Sequence, residues 1–380
     1  MSWQSEPLSA LTLKIGSGST PRGGDSVYIS EGTTLIRSQN VYNNEFSTDG
    51  LVYIDEKTAE KMKGVSVEKE DVLVNITGDS VARCCLVHDA VLPARVNQHV
   101  AILRTNPKKL LPYFLAFYMV SPFMQAKMLS WAGTGGTRKA LTKGMLEGFE
   151  IPLPPVDVQD KIVQKIRTYN DLIENNRRRI QLLEESARLL YQEWFVHLRF
   201  PGHEQVKIID GVPEGWEKMP LKQIATLNYG KALKAEVRVP GPFPVYGSSG
   251  EVGSHEKPLV KGPGIVVGRK GNVGSVYWVN TDFYPIDTVY FISAEESSLF
   301  LYHALQNVQF INTDVAVPGL NRDMAYSREI LVPDDKNYQR FLSEVVPIQE
   351  QINKLQDYNI KLAQARDLLL PKLMSGELTV

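Results

Sequence analysis

The chain has 380 residues, 43% hydrophobic and 22% charged, a composition ordinary for a soluble protein and a length that expects two or more domains. A formal net charge of −1, with no segment far from neutral, argues against a chain that coats nucleic acid indiscriminately. No apolar run reaches membrane-spanning length, since the longest, Leu110–Val120, is broken by Pro112.

The opening MSWQSEPL has neither a basic nor an apolar leader segment, so no secretory signal is expected. Cys84 and Cys85 are neighbours, a spacing that strains a disulfide, so free thiols in a cytoplasmic protein are expected. From the first residues onward the chain repeats itself. Trp3, Pro7, Leu8 and Leu11 match Trp216, Pro220, Leu221 and Ile224 in type and spacing. Asp71–Gly78 and Gly264–Gly271 each read as a buried strand ending in a glycine turn. Further apolar runs follow in each copy, Cys84–Val87 and Val100–Leu103 in one, Val276–Val279 and Val289–Ile292 in the other. Then come a helical patch (Leu110–Leu129; Ser297–Phe310), a basic glycine-containing loop (Gly133–Leu141; Val317–Met324) and a closing strand (Glu150–Pro154; Glu329–Pro333). A period of roughly 200 residues is tandem duplication and no solenoid.

Each copy is followed by a long helix. In the first, Ile162, Ile166, Tyr169, Ile173, Asn176, Ile180, Leu183, Ala187, Leu190 and Trp194 are spaced alternately by four and three residues, with no glycine or proline between them. That seam would make a rod of roughly 50 Å and needs a partner helix. The C-terminal stretch offers one, with Phe341, Val345, Ile348, Ile352, Leu355, Asn359, Leu362, Arg366, Leu369 and Leu373 at the same spacing. Antiparallel pairing within one chain is the expectation, and self-association through the same seams is the rival. Asn176 and Asn359 are candidates for fixing register. Pro347 lies inside the second pattern and should either kink it or mark its true start. Asp334 or Asp335, after Pro333, can cap it. Punctuation at Pro152–Pro155, Pro201-Gly202, Gly211–Gly215 and Pro333 divides the chain into 1–154, 155–200, 201–333 and 334–380.

No motif points to chemistry in the chain. Gly16–Gly24 can hold an anion on its backbone but lacks the GK[ST] of a nucleotide loop, leaving a DNA-contacting loop and a plain loop both open. Asp334-Asp-Lys336 resembles a fragment of a nuclease metal site, yet no suitably spaced acid accompanies it. The six histidines show no metal-ligand spacing, so neither a catalytic centre nor a metal is expected. The Asn-Pro-Pro-aromatic tetrapeptide with which amino-methyltransferases hold a flipped base is absent.

The runs IPLPPVDVQDKIVQKI and IENNRRRIQLLEESARLLYQEWFVHLRF resemble the central conserved region of the specificity subunits of type I restriction–modification systems. RDLLLPKLMSGEL resembles their C-terminal conserved region, and SWQSEPLSAL…GSGSTPRGG and GWEKMPLKQI…YGKALK resemble the openings of their target-recognition domains. The resemblance covers the whole chain and is specific through the order of its parts. It implies an α+β chain: two tandem mixed α/β target-recognition domains separated by a pair of long antiparallel coiled-coil helices. Each domain would read half of a bipartite double-stranded DNA site. Two methyltransferase subunits, and restriction (helicase–nuclease) subunits through them, would be the protein partners. S-adenosylmethionine and ATP would belong to those partners, with no cofactor in this chain and no membrane.

The candidates for DNA contact are the polar loops. They are Thr20 and Arg22; Arg37, Gln39 and Asn40; Arg95, Asn97 and Gln98; Thr137, Arg138 and Lys139 in the first copy. In the second they are Lys231; Arg269, Lys270 and Asn272; Asn321 and Arg322. Arginine suits bidentate contact with guanine, and asparagine or glutamine with adenine, while lysine and small neighbours suit phosphate. Arg177–Arg179 offers a further basic patch on the helix, for DNA or for a subunit. Two other readings compete: an enzyme with its active site between the repeats, disfavoured by the missing acid pairs and nucleophile–base motifs, and a protein-binding adaptor that ignores DNA.

Overall fold

A computed structural model describes residues 3–133, 139–310 and 319–378. The chain forms two compact units, one of Met1–Glu174 with Asn359–Val380 and the other of Asn175–Tyr358.

The first unit is built on a sheet of β1 (Thr12–Ser17), β2 (Val72–Asn75), β3 (Cys84–Leu86) and β4 (Val100–Thr105), in the order β1-β4-β2-β3 and antiparallel throughout. The second repeats it with β5 (Asn228–Tyr229), β6 (Gly264–Gly268), β7 (Val276–Val279) and β8 (Val289–Ile292), in the order β5-β8-β6-β7. Alternate side chains of a strand face opposite ways, and here both faces are covered. Val72, Val74, Ala101 and Leu103 join a helical core, whereas Leu73, Val100 and Ile102 pack on Ile36 and Val96 beneath a second sheet. Ile265, Val267 and Tyr290 against Val266 and Val289 divide in the same way. Burial on both faces is why these strands read as unbroken apolar runs.

The second sheets have no counterpart in the sequence reading. The first unit adds Val52–Ile54, Thr33–Ile36, Ala94–Val96 and Ser66–Val67, paired in that order; the second adds Gly250–His255, Phe243–Gly247 and Tyr284–Pro285. Each contains one parallel pair, Ala94 beside Thr34 and Tyr284 beside Val245. The predicted helical patch Leu110–Leu129 is two helices, Pro112–Met119 and Pro122–Ala132, interrupted where Ser121 caps the second by accepting from the Met124 amide. A two-stranded ladder joins the start of each unit to its end, Pro7 opposite Glu150 and Pro220 opposite Glu329.

The long helices are α1 (Val156–Tyr191), continued by a π turn over Gln192–Val196, and α2 (Asp335–Ser375). Every seam position named above is buried or half-buried. Within the first unit, Ile162, Val163 and Ile166 near the start of α1 share a core with Leu370, Leu373 and Met374 near the end of α2. There, too, the Arg366 guanidinium donates to the Asn170 side chain at 2.9 Å. Within the second unit, Ala187 and Tyr191 near the end of α1 meet Phe341 and Val345 near the start of α2. Early turns meet late turns in both units, so the pair is antiparallel and intramolecular.

Pro347 does not mark the start of α2, which begins at Asp335. Asp334 caps it, accepting from the Asn337 amide at 2.9 Å and, through its other oxygen, from the Trp216 indole at 2.9 Å. Pro347 is exposed, and the buried Phe341, Val345, Ile352 and Leu355 on either side hold the helix through the missing hydrogen bond. At the start of α1, Gln159 is fully buried; its amide donates to the Lys109 and Pro154 carbonyls and accepts from the Leu111 amide, at 2.8–2.9 Å.

One buried group makes the second unit sensitive to acid. His303 is 5% exposed, its ring beside Tyr302 and Tyr191, and burial lowers its pKa from the ordinary 6.5 to about 4. Between those values the unfolded chain takes up a proton that the folded chain refuses. Stability is therefore whole above pH ~6.5 and is lost as the pH falls towards 4, by about 1.4 kcal/mol per unit at most. Urea unfolding at pH 7 and pH 4.5 should show this loss in the native chain and a smaller one in His303→Gln. Equal losses would place the acid sensitivity elsewhere.

Candidate nucleic-acid interface

The turn after β2 and the turn after β6 are the same structure. The amides of Ala82 and Gly274 return to Asn75 and Gly268, and the amides of Asn75 and Gly268 donate to Arg83 and Ser275, all at 2.7–2.9 Å. Gly78 and Gly271 both sit at φ +79°, a conformation that disfavours any side chain. Each turn is then stitched to two other segments: Ile76 to His99 and Leu141, Arg269 to Thr288 and Leu320, at 2.8–2.9 Å. Gly18 and Gly230 bring a fourth segment to the same end. A Cβ on either would lie 2.1 or 2.0 Å from the Val96 or Ile286 carbonyl oxygen.

In the first unit this end carries an open cleft of about 770 Å³, lined by Ser38, Gln39, Tyr42, Thr77–Ser80, Arg83, His99, Lys139 and Ala140. The Arg83 guanidinium lies 4.6 Å from the centre of the Tyr42 ring, with no hydrogen-bond or ion-pair partner among the described residues. Thr77 Oγ1 and His99 Nδ1 are 2.6 Å apart. Gln39 and Lys139, both named from the sequence, line this one cleft, Gln39 also donating to the Gly50 carbonyl at 3.3 Å. Thr20, Arg22 and Gln98 are exposed on the neighbouring loops.

Other candidates shape that surface. Asn40 is fully buried, donating to the Ser47 and Asp49 carbonyls at 3.1 and 3.0 Å and accepting from the Arg37 amide at 3.0 Å. Arg37 itself donates to the Gly50 carbonyl at 2.7 Å. Asn97 is buried and accepts from the His99 amide at 3.1 Å. The Arg95 guanidinium donates to the Ala59 and Ala94 carbonyls, both at 3.0 Å, so it braces the second sheet. Thr137 and Arg138 lie outside the described residues.

The second unit has a cleft of about 170 Å³ at the equivalent end, lined by Tyr229, Arg269, Lys270, Tyr290, Gly319, Leu320, Asn321 and Arg322. Arg269 and Arg322 each lie 5.0 Å from the centre of the Tyr229 ring. Arg269 is anchored by donating to the Asp287 carbonyl at 2.9 Å. Tyr290 donates to the Leu320 carbonyl at 2.9 Å, and burial pushes its pKa up to about 12, so it stays a neutral donor. Among the described residues no carboxylate lines the cleft. Asn321 accepts from the Asp323 and Met324 amides at 2.8 and 3.4 Å, capping a short helix. Lys231 and Asn272 are exposed nearby.

The tyrosines under these arginines, Tyr42, Tyr229 and Tyr326, and Arg83 with them, escaped the sequence reading. The available signal was proximity: Tyr42 follows Asn40 by two residues, and Tyr229 precedes Lys231 by two. Aromatic rings beside basic loops deserved equal weight with the cations, because a ring face fixes the plane of a guanidinium. Among the described residues no group of three or more histidine, cysteine or acidic side chains could hold a metal, and no helix is long and apolar enough to cross a membrane.

The sequence profile described as type I restriction modification DNA specificity domain matches residues 14–185 and again 213–361. The chain belongs to this family. As a type I specificity chain its role is recognition of DNA sequence, and the two matched stretches are the two copies of the repeat described above. It is 26% identical over 296 residues to the specificity subunit of the type I restriction enzyme MjaIX of Methanocaldococcus jannaschii, covering 70% of this chain and 68% of that one. Against the HindI specificity subunit of Haemophilus influenzae it is 22% identical over 433 aligned residues, covering 90% and 94%. The crystal structure of the type I S subunit from M. genitalium shares the fold, with a TM-score of 0.55 at 17% identity over 98% of this chain and 96% of that one.

Proposed function

We propose that each unit of this specificity chain reads one half of a bipartite double-stranded DNA site through the loop-bearing end of its central sheet. The observation that supports this most is that the same end recurs in both units and carries, in each, a cationic side chain laid on a tyrosine ring. That gathering also answers the neutral net charge, because affinity for phosphates needs only local clusters. Gln39, Arg83 and Lys139 face one half-site; Arg269, Lys270 and Arg322 face the other. Thr20, Arg22, Gln98, Lys231 and Asn272 flank them, within reach of phosphates. Arg95 contributes by bracing the fold.

The chain carries out no chemistry itself. Two methyltransferase subunits, one for each repeat of the scaffold, supply S-adenosylmethionine-dependent methylation, and restriction subunits supply ATP-driven cleavage, in the cytoplasm. Purified alone, the chain should neither methylate nor cleave DNA nor hydrolyse ATP. Reconstituted with the methyltransferase, it should confer methylation at a two-part sequence, and Lys270→Ala should weaken binding with a salt slope shallower by about one. Robust methyl transfer by the chain alone, or methylation of a one-part site, would overturn this reading.

A further inference from the structure

We infer that Arg322 reads a guanine in the half-site of the second unit, an assignment that rests on the function proposed above. Two arginines share the Tyr229 ring, but their donors differ in what they already hold. Arg269 donates to the Asp287 carbonyl, and its backbone amide is bonded to Thr288. Arg322 is exposed and has no hydrogen-bond or ion-pair partner among the described residues, while its guanidinium is set against Tyr229 at 5.0 Å and Tyr326 at 5.9 Å. Its fork is thus set against rings and, among the described residues, unoccupied at its edges. Arg269 and Lys270 lie in the same cleft, and no carboxylate lines it among the described residues, so the described cluster favours an acceptor-rich group.

The chemistry of that group follows from the geometry of the donors. A guanidinium held in one plane offers two parallel N–H donors, which match the O6 and N7 acceptors of guanine in the major groove. Lys270, a point charge on a flexible stem beside it, suits the neighbouring phosphate. Asn321 is no rival reader, because its side-chain oxygen already accepts from two amides of the short helix.

The first unit carries a different residue at the position of Arg322. Leu141 and Leu320 make equivalent hydrogen bonds, to Ile76 and Arg269, so Lys143 stands where Arg322 stands. Its ammonium is 3.5 Å from the Glu147 carboxylate one helical turn on. The two units therefore differ in what stands at this position, an arginine set against rings in the second and a lysine beside a carboxylate in the first.

The test is methylation of a pool of randomised duplexes by the chain reconstituted with its methyltransferase, sequenced for wild type and variants. Arg322→Lys and Arg322→Ala should each reduce discrimination at one G·C pair by about tenfold to a hundredfold, leaving the other half-site and the salt dependence unchanged. Tyr229→Ala should relax the same base pair, and Tyr229→Phe should spare it, which a purely structural tyrosine would not do. Arg322→Lys keeps the charge and the exposed position, so an unchanged melting temperature for it separates readout from folding. Uniform weakening across sequences with a shallower salt slope would make Arg322 a phosphate contact and overturn the assignment, as would an unaltered sequence profile. Loss of all sequence preference in the wild-type complex would instead overturn the underlying reading.

Discussion

Phe341→Ala should destabilise the second unit by about 3–5 kcal/mol, the range for removing a buried aromatic ring and leaving its cavity. Phe341 is fully buried in the first turns of α2. Its ring centre lies 5.9 Å from that of Tyr191, 5.9 Å from Trp194, 5.0 Å from Phe195 and 6.3 Å from Phe300. The last of these stands on the recognition fold and the first three on α1 or its π turn, so one ring ties both long helices to the fold that carries the cleft. Urea unfolding followed by tryptophan fluorescence would report it, since Trp194 and Trp216 lie in the same cluster. A loss below 1 kcal/mol would mean that these rings are not packed around Phe341. By contrast Ile180→Asp, though also in the seam, strikes a half-buried position and should cost less.

The difference between those two seam positions shows where sequence was informative. A heptad pattern reports which face of a helix is covered, and every seam residue is indeed covered. It does not report by how much, because depth depends on what each unit adds around the helices. Strands buried on both faces were legible as apolar runs, whereas the second sheets were missed: Thr33–Ile36 and Ala94–Val96 are short and lack a clean alternation. For the candidate site, residue type pointed to loops at one end of the central sheets but could not separate exposed side chains from braces. Asn40 and Asn97 look like adenine-reading side chains and are buried loop ties; Arg95 looks like a guanine reader and holds backbone carbonyls. Polar side chains that bond the backbone and those that bond a ligand share one composition, and only their partners tell them apart. Pro347 inside α2 is the same lesson for helices, propensity yielding to packing on either side.

A buried ion pair hidden by its sequence separation carries the second large effect: Arg104→Ala should cost the first unit about 3–5 kcal/mol, because it strands a carboxylate in the interior. Asp71, at the entrance of β2, is wholly buried. The Arg104 guanidinium from β4 grips both its oxygens, Nε to Oδ1 and Nη2 to Oδ2, each at 2.8 Å. The Glu68 amide adds a third bond at 2.7 Å, and the Glu68 carboxylate also meets Arg104. With arginine gone, that amide is the one hydrogen-bond donor among the described residues left to the carboxylate, with Lys14 acting on it only through its charge. Desolvation then works against the fold. Replacing both partners, Asp71→Leu with Arg104→Met, removes the charge along with its need for compensation, and should be markedly more stable than Arg104→Ala. A double-mutant cycle in urea measures the coupling between the positions directly. Single and double variants falling by independent, additive amounts would show that the pair does not act as a buried unit, and that β2 and β4 are held by their backbone ladder and apolar faces alone.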